Sequence, residues 1–402
     1  MKRETSSFLI VSVFLLFFLQ LPPSGRESKE LANSSQPRLI FLIVGNKGAQ
    51  IQRFGKNFDS QSPWMKSFTE KKDKVHSFLL AIAEGPLGRK NISEKARLSD
   101  EEVKDISNLL LALNLVFPKG DGWATTVPVV TDREMSTIKT NLTPLAQKAT
   151  ACLENYILQI KKEYENSRSS SAPKWENIAH LIVDKFLLDG VFRNTLEKLA
   201  KEKDMRKHYT ESQEILPVFF LENGKNLMYI GCNWYPFTKN NEMRQLFVLH
   251  GTLFNRPTIL VNTYKQNPGL HSALFKLFPG NEGPEFTEEE KRIMQELGWI
   301  EKKDVLVPVI DGNELRALYP LVNEAGKKAA EEVFENFEEI LSSFQKSPYS
   351  KFMSGDGDYI EYCYHALMCL IAEQLTSQSL LPPIPNPVPE HFGVFILIGR
   401  FH

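Results

Sequence analysis

The stretch LVFPKGDGWATTVPVVTDRE, residues 115–134, decides the predicted fold of this chain. Two apolar runs, residues 115–117 and 123–130, flank a Pro-Lys-Gly-Asp-Gly turn, which is typical of a β-hairpin. Directly after the second run, Thr131 and Glu134 have the spacing of a capping box, the pattern that begins an α-helix. The stretch therefore predicts two antiparallel strands followed at once by a helix.

A capping box also lies ahead of the hairpin, at Ser99 and Glu102, where an apolar-rich helix is predicted to begin. Residues 99–164 thus have the order helix, two-stranded ribbon, long helix. The same order recurs at residues 287–343, with a second hairpin at 299–310. Helix, ribbon and helix is the outline of a winged helix-turn-helix module, in which one helix can enter the major groove of DNA.

The two segments also share residues. Residues 127–160 align with 307–340 without a gap, with seven identities that include a Val-Pro-Val motif at the start of both. Slightly upstream, Leu-Asn-Leu-Val at 113–116 aligns with Leu-Gly-Trp-Ile at 297–300. We expect a true internal repeat. The alternative is chance, since two amphipathic helices that each follow two strands share apolar positions.

Two residue pairs in the repeat have a structural meaning. Pro128 and Pro308 cannot donate a ladder hydrogen bond, which predicts an edge strand or a bulge at each. Glu134 and Glu314 could be taken as paired catalytic carboxylates. Their position three residues after a capping residue favours the capping box instead.

The predicted fold class is helix-rich α+β, with two related modules of winged-helix-like outline and a C-terminal helix-strand segment. Strand candidates at 38–45 and 392–399 have the same apolar character, which suggests that they pair in one sheet. A hairpin is predicted at 216–232, and the proline-rich stretch 380–389 is expected to be a rigid strap rather than a peptide ligand. The domains are predicted as 1–25, signal peptide or N-terminal anchor; 26–62, polar tether and first strand; 63–168, module A; 173–346, module B with the inserted hairpin; and 347–402, C-terminal helix, strap and strand.

Composition and charge narrow the class of partner. The chain has 402 residues, 42% apolar and 24% charged, which is a globular composition long enough for two or three domains. A net charge of −1 provides no overall basic field for a phosphate backbone. Asp121 and Asp304 also stand in the two predicted wing turns. Nucleic acid is therefore an unlikely partner.

The N-terminus predicts export. Lys2 and Arg3 precede an apolar run, residues 8–21, which ends at a pair of prolines. A charged start, an apolar stretch and a breaker match a secretory signal peptide, and the run is short for a membrane-spanning helix. The cleavage site is poor, so an uncleaved anchor is an alternative, and a buried core helix is another. We expect an extracytoplasmic protein that meets a membrane only through this segment, if uncleaved.

Candidates for chemistry are few. The sequence has no P-loop, no G-x-G-x-x-G, no H-E-x-x-H, no C-x-x-C and no G-x-S-x-G motif. Asp358, Glu361 and His365 are spaced to share one helix face, where carboxylates and an imidazole can bind a metal or act as base and partner. A solvated face with a local ion pair is the expected alternative. No cofactor and no metal is predicted.

The remaining histidines and cysteines are expected to be structural. His180 and Asp184 form an i, i+4 pair among apolar neighbours, typical of a core histidine with satisfied hydrogen bonds. Four histidines in apolar stretches could converge on one metal, although their spacing does not require it: His76, His180, His250 and His271. The four cysteines are expected as buried free thiols, with a Cys152–Cys232 or other long-range pair left open: Cys152, Cys232, Cys363 and Cys369.

The sequence thus favours an exported, non-catalytic binding or structural protein of the cell envelope or exterior. Its partner would be an unknown protein or envelope component. The alternative is a hydrolase-like, possibly metal-dependent enzyme that uses Asp358, Glu361 and His365.

Overall fold

The computed structural model describes residues 38–41, 62–126, 129–202, 218–221, 228, 230–254, 268–279, 285–302, 304–336 and 356–399. The predicted fold class is confirmed: the protein is helix-rich α+β with several small sheets. The described residues fall into two compact units. Unit one holds those up to Met135, together with 218–221 and 356–361. Unit two holds the rest. The predicted signal segment and most of the tether lie outside the described residues.

Unit one contains a helical cluster with a three-stranded sheet beside it. The elements in chain order are β1 (Arg38–Phe41), α1 (Pro63–Glu70), α2 (Lys72–Ala81), β2 (Leu87–Gly88), α3 (Arg89–Ala96), α4 (Asp100–Ala112), β3 (Val116–Lys119), β4 (Gly122–Thr125), β5 (Val129–Val130) and β6 (Val218–Leu221). The predicted capping box is confirmed, because Ser99 caps α4 and Glu102 returns the bond. Helices α2, α3 and α4 bury one apolar core that includes Phe78, Ile92 and Val103.

The sheet against this core has the strand order β2-β4-β3. Its β3–β4 hairpin is the predicted one, with a turn at Gly120 and Asp121. A Cβ on Gly122 would lie 2.2 Å from the backbone oxygen of Leu87, so only glycine allows β2 to pair with β4 there. The predicted strand 123–130 is divided, however: β4 ends at Thr125, and β5 joins a different sheet of order β1-β6-β5.

Unit two is built on a four-stranded sheet of order β11-β12-β8-β7. Its strands are β7 (Ile230–Lys239), β8 (Glu242–Gly251), β11 (Val309–Asp311) and β12 (Val394–Ile398), and a small hairpin pairs β9 (Ile300–Glu301) with β10 (Asp304–Val305). Asn240 and Asn241, both at positive φ, close the β7–β8 hairpin, as a type I′ turn requires. Pro308 immediately precedes β11, at an edge of the described sheet, in agreement with its prediction.

The helices of unit two include one of rare type. In chain order they are α5 (Asp132–Ser167, which starts in unit one), α6 (Trp175–His180), a π-helix (Leu181–Phe192), α7 (Arg193–Glu202), α8 (Pro268–Leu274), α9 (Glu288–Glu296), α10 (Gly312–Arg316), α11 (Tyr319–Phe334) and α12 (Asp356–Ser377, which also starts in unit one). Helix α11 approaches the π-helix so closely that a Cβ on Gly326 would lie 2.7 Å from Cβ of Val191. None of the described helices is both long enough and apolar enough to cross a membrane.

The backbone has the same conformation just after α4 and just after α9. Asn114 and Gly298, aligned in the sequence, both have left-handed φ, 56° and 66°. The next residue in each case donates its N–H to a carbonyl five residues back: Leu115 to Leu110 and Trp299 to Met294, both at 2.9 Å. Helix α9 also begins with a capping box, Thr287 with Glu290. The internal repeat stays a prediction, which these equivalent bonds support.

The sheets that receive the third strand of each segment also correspond. In unit one, β5 runs parallel to β6, and β6 runs antiparallel to β1. In unit two, β11 runs parallel to β12, and β12 runs antiparallel to β8. Val129 pairs with Phe220 and Val309 pairs with Ile396, so the aligned valines occupy the same place in each pairing.

Two predicted pairings are wrong. The strands at 216–221 and 227–232 do not form a hairpin, because β6 lies between β1 and β5 while β7 pairs with β8. The candidates near the two ends of the chain, now β1 and β12, lie in different sheets. In both cases the apolar runs were identified but their partners are far away in sequence, where local pattern carries no information on pairing.

Candidate functional site

Of the three residues on the predicted helix face, only the side chain of His365 is among the described residues. The side chains of Asp358 and Glu361 lie outside them. His365 is buried, and its Nδ1 is 2.9 Å from the backbone oxygen of Ile230. Every residue from 363 to 372 is buried, so this stretch of α12 has no water-facing side. The prediction of an exposed ion pair is wrong for His365.

His180 is the core histidine that the sequence predicts. It is buried at the end of α6, with its Nδ1 2.8 Å from Oδ2 of Asp184 and its Nε2 3.0 Å from the backbone oxygen of Pro382. The rings of Phe254 and Phe392 pack edge-on against the imidazole at 5.6 and 5.7 Å. Because Pro382 belongs to the proline-rich strap, this histidine fastens the strap to the helix.

The two ring nitrogens of His180 have different partners. A backbone oxygen only accepts, so Nε2 donates the hydrogen bond to Pro382. The other ring nitrogen, Nδ1, is bonded to Oδ2 of Asp184. Among the described residues, the second oxygen of Asp184, Oδ1, is buried and has no hydrogen-bond partner.

After Asp184 in the chain, further charged side chains lie along the π-helix and the first turn of α7. Lys185 Nζ contacts Oδ2 of Asp189, and Nη1 of Arg193 is 3.6 Å from Oδ1 of the same carboxylate. Nε of Arg193 then donates to Oε1 of Glu197 at 2.9 Å. We call this set the polar ridge: His180, Asp184, Lys185, Asp189, Arg193 and Glu197.

The polar ridge consists of residues spaced four apart. His180 and Asp184 form one pair, and Lys185, Asp189, Arg193 and Glu197 form a chain in which each neighbour is four residues from the next. An α-helix and a π-helix both keep residues four apart on the same side. The spacing could therefore have indicated the second set, although only the His180–Asp184 pair was predicted.

Burial and charge oppose each other within the polar ridge. Burial by itself raises the pKa of Asp189, but Lys185 and Arg193 lower it more, so the pKa lies below its ordinary value. Burial in the same way lowers the pKa of Lys185, and Asp189 more than reverses the effect. All three groups therefore stay charged at neutral pH, each held by the others.

Helix α12 and strand β7 contribute the neighbours of the polar ridge. Tyr364 donates its hydroxyl to the backbone oxygen of Leu188 at 3.0 Å, and the guanidinium of Arg193 lies 5.6 Å from the centre of the Tyr364 ring. Burial raises the pKa of Cys232 on β7 to about 12, although Lys185 opposes the rise. A thiol with so high a pKa is protonated at neutral pH and is a poor nucleophile.

The other candidates do not assemble into a metal site within the described ranges. His250 is buried on β8, and His271 packs between the rings of Phe237 and Phe275 at 5.4 and 5.2 Å. The described part of the chain contains no cluster of three or more His, Cys, Asp or Glu side chains fit for a metal. Within the described residues the four cysteines form no disulfide, and the prediction that all are buried holds for Cys363 and Cys369 but not for Cys152 and Cys232, which are partly exposed.

Comparison with known proteins adds no relative. No protein-family model matches the sequence, no curated protein matches it, and no solved structure matches the fold.

Proposed function

We propose that this protein is an exported, non-catalytic binding or structural protein of the cell envelope or exterior. The observation that carries the proposal is the polar ridge, whose charges are paired with each other along its length. A catalytic centre keeps an acid, a base or a nucleophile available to a substrate. Here the hydrogen bonds of those groups go to the fold, which fixes the π-helix against α12 and the strap.

The surface of the two segments supports a protein partner over nucleic acid. Helix α4 exposes Asp100, Glu101 and Asp105, and the nearby Lys74 is taken up by an ion pair with Glu102 at 2.8 Å. Helix α9 likewise exposes three glutamates, at 288, 289 and 296. Acidic side chains on the helix that would face a groove repel phosphates. A winged-helix-like module with this surface suits a basic protein patch.

Export can be tested with a reporter that is active only outside the cytosol, fused after residue 402. The full chain should give an active reporter. A variant with Leu15→Arg and Phe18→Arg, which interrupts the apolar run, should not. A full chain whose reporter stays inactive would refute the export reading.

Binding can be tested by photo-crosslinking in the source cells. A photoreactive residue at Glu101 or Glu288 should give a discrete adduct with a protein of the envelope or exterior. The control position is Lys162, which is exposed on α5. The same adduct from the control, or adducts from neither acidic helix, would count against a binding role for these helices.

A further inference from the structure

Arg244 is a buried arginine whose donors are mostly unused. It stands on β8 with 1% of its surface exposed. Nε and Nη1 are buried and have no hydrogen-bond partner in the part of the chain that the structure describes. The third nitrogen, Nη2, is 3.6 Å from Oε2 of Glu242, which is longer than a hydrogen bond. Buried polar groups are normally bonded, so a guanidinium in this state needs a reason.

Aromatic rings lie close to this guanidinium. Its Cζ lies 5.7 Å from the ring centre of Phe275 and 4.7 Å from that of Phe278. Phe237 is paired with Arg244 on the neighbouring strand β7. Phe278 is itself 46% exposed. An exposed ring therefore lies next to a buried positive charge.

The charges around Arg244 restrict what can bind there. Asp311, Ile398, Arg244 and Phe237 form one row across the sheet, so Asp311 shares its face, and Glu242 lies two residues away on β8. Lys239 contributes the second cation, 5.9 Å from the Phe275 ring. Two cations and two carboxylates leave no net field for a polyanion. Binding must come from directed hydrogen bonds to a single charge.

We propose that Arg244 anchors a binding site for a monocarboxylate carried on an apolar or aromatic body. The planar guanidinium matches a carboxylate in geometry, and charge-assisted bonds of this kind are the strong ones. The apolar body of the ligand takes the place of the Phe278 ring against Phe275. This site lies apart from the polar ridge and is independent of whether the protein is exported.

A bound carboxylate would compensate for the hydrogen bonds that Arg244 does not make. Leaving a buried charged donor without an acceptor costs more than the net worth of an ordinary hydrogen bond. Burial lowers the pKa of Arg244, and the nearby carboxylates of Glu242 and Asp311 only partly oppose this effect. The guanidinium nevertheless stays protonated near neutral pH. An incoming carboxylate recovers the unmade bonds, so its binding is favoured even though the pocket carries no net charge.

The test uses the full chain and isothermal titration with benzoate, its uncharged analogue benzamide, and phenyl phosphate. We expect benzoate to bind, benzamide not to bind, and the dianion to bind more weakly than benzoate. Arg244→Met, which keeps the apolar stem, should weaken benzoate binding about tenfold or more, the loss of one charge-assisted bond. Phenyl phosphate binding as tightly as benzoate would overturn the monocarboxylate assignment.

A second variant keeps Arg244 and so remains informative if Arg244→Met fails to fold. Phe278→Ala should raise the rate at which phenylglyoxal modifies Arg244, measured by peptide mass spectrometry, and benzoate should slow that modification. Phe254→Ala, at a buried ring beside His180, is the control and should leave the rate unchanged. Absence of benzoate binding in both wild type and Phe278→Ala, or equal binding by Arg244→Met, would overturn the proposal.

Discussion

Tyr156 of α5 donates a hydrogen bond of 2.9 Å to Oε1 of Glu324 in α11. Lys148, two turns earlier on α5, donates to Asn336, two residues past the C-terminal end of α11, so the two helices run antiparallel. Between these contacts, Glu332 is one of the charges that act on Cys152. The gap-free alignment makes Cys152 and Glu332 equivalent positions. Under the predicted internal repeat, α5 and α11 would be two copies of one helix that meet at equivalent positions and are related by a local two-fold axis, as in an isologous dimer.

The Tyr156–Glu324 bond should make a measurable but small contribution to stability. Because this hydrogen bond is exposed to solvent, we expect it to contribute about 1 kcal/mol or less to the free energy of unfolding. A double-mutant cycle of Tyr156→Phe and Glu324→Gln, read from urea unfolding, gives the coupling free energy. The hydrogen bond to Glu324 also raises the pKa of Tyr156, and this shift should disappear in Glu324→Gln. Zero coupling would mean that α5 and α11 do not pack in this register.

Gly326→Ala should destabilise unit two by about 1–3 kcal/mol, because the new methyl group overlaps the side chain of Val191. Adding Val191→Ala removes the Cγ1 atom at 2.8 Å but keeps the Cβ atom at 2.7 Å, so it should recover only a small part of the loss. Lys327→Ala, exposed on the next position of α11, is the control and should stay within about 0.5 kcal/mol of wild type. Thermal unfolding decides it, and a neutral Gly326→Ala would contradict the close helix approach.

Stability should fall in acid through Glu290. Burial raises the pKa of this carboxyl, but the bonds from Lys276, Ser272 and the N–H of Thr287 lower it more, to about 2. The folded pKa is below the unfolded one, so the stabilisation is present above about pH 4.3 and is lost as pH falls toward 2. The loss amounts to roughly 3 kcal/mol at most. The free energy of unfolding should be measured across this pH range. Its decrease toward acid should be smaller in Glu290→Gln than in wild type, and unchanged in the control Glu289→Gln.

Asp189→Asn should be among the most damaging changes to the polar ridge. It leaves Lys185 and Arg193 side by side without their shared carboxylate, and breaking a buried ion pair in this way typically costs about 3–5 kcal/mol. Glu197→Gln, at the partly exposed end of the polar ridge, should cost about 1 kcal/mol or less. Chemical denaturation of both variants tests the difference. Equal, small effects would show that the buried charges do not stabilise the π-helix.

His365→Ala should remove no bound metal. One nitrogen of this imidazole is used by the backbone oxygen of Ile230, and a zinc site needs three or four ligands. The burial of His365 changes what is expected for stability: the variant leaves a buried carbonyl unpaired, at a cost of about 1–3 kcal/mol. Elemental analysis is the measurement. Stoichiometric zinc in the wild type that is absent from His365→Ala would favour the enzyme alternative.

The parts of the fold that depend on nearby residues could be predicted. The capping box at Ser99 and the β3–β4 hairpin with its turn at Gly120 and Asp121 are specified by residues a few positions apart. The pairing of β6 with β1 and β5 could not be predicted, because its partners lie about 90 to 180 positions away. Apolar pattern identifies a strand, but it does not identify the neighbour.

The candidate sites show the same limit. His180 and Asp184 could be paired from the sequence because both helix types keep residues four apart on one side. Lys185, Asp189 and Arg193 have the same four-residue spacing, so the sequence could have indicated them as well, but it carries no signal that these charges are withdrawn from water. Arg244 gives no sequence signal: an arginine next to a turn is normally solvated, and its proximity to the rings of Phe275 and Phe278 depends on the tertiary fold.

The place of the last strand in each sheet has a consequence for biosynthesis. β6 is made after β1 and β5 yet lies between them, and β12 is made after β8 and β11 yet lies between those. A nascent chain that has reached residue 390 therefore exposes two unpaired strand edges that await a common neighbour. Such edges are templates for pairing with other chains. The first sheet stays open until the ribosome has passed residue 221 and the second until it has passed residue 398. A factor that holds the chain during these intervals would raise the yield of folded protein.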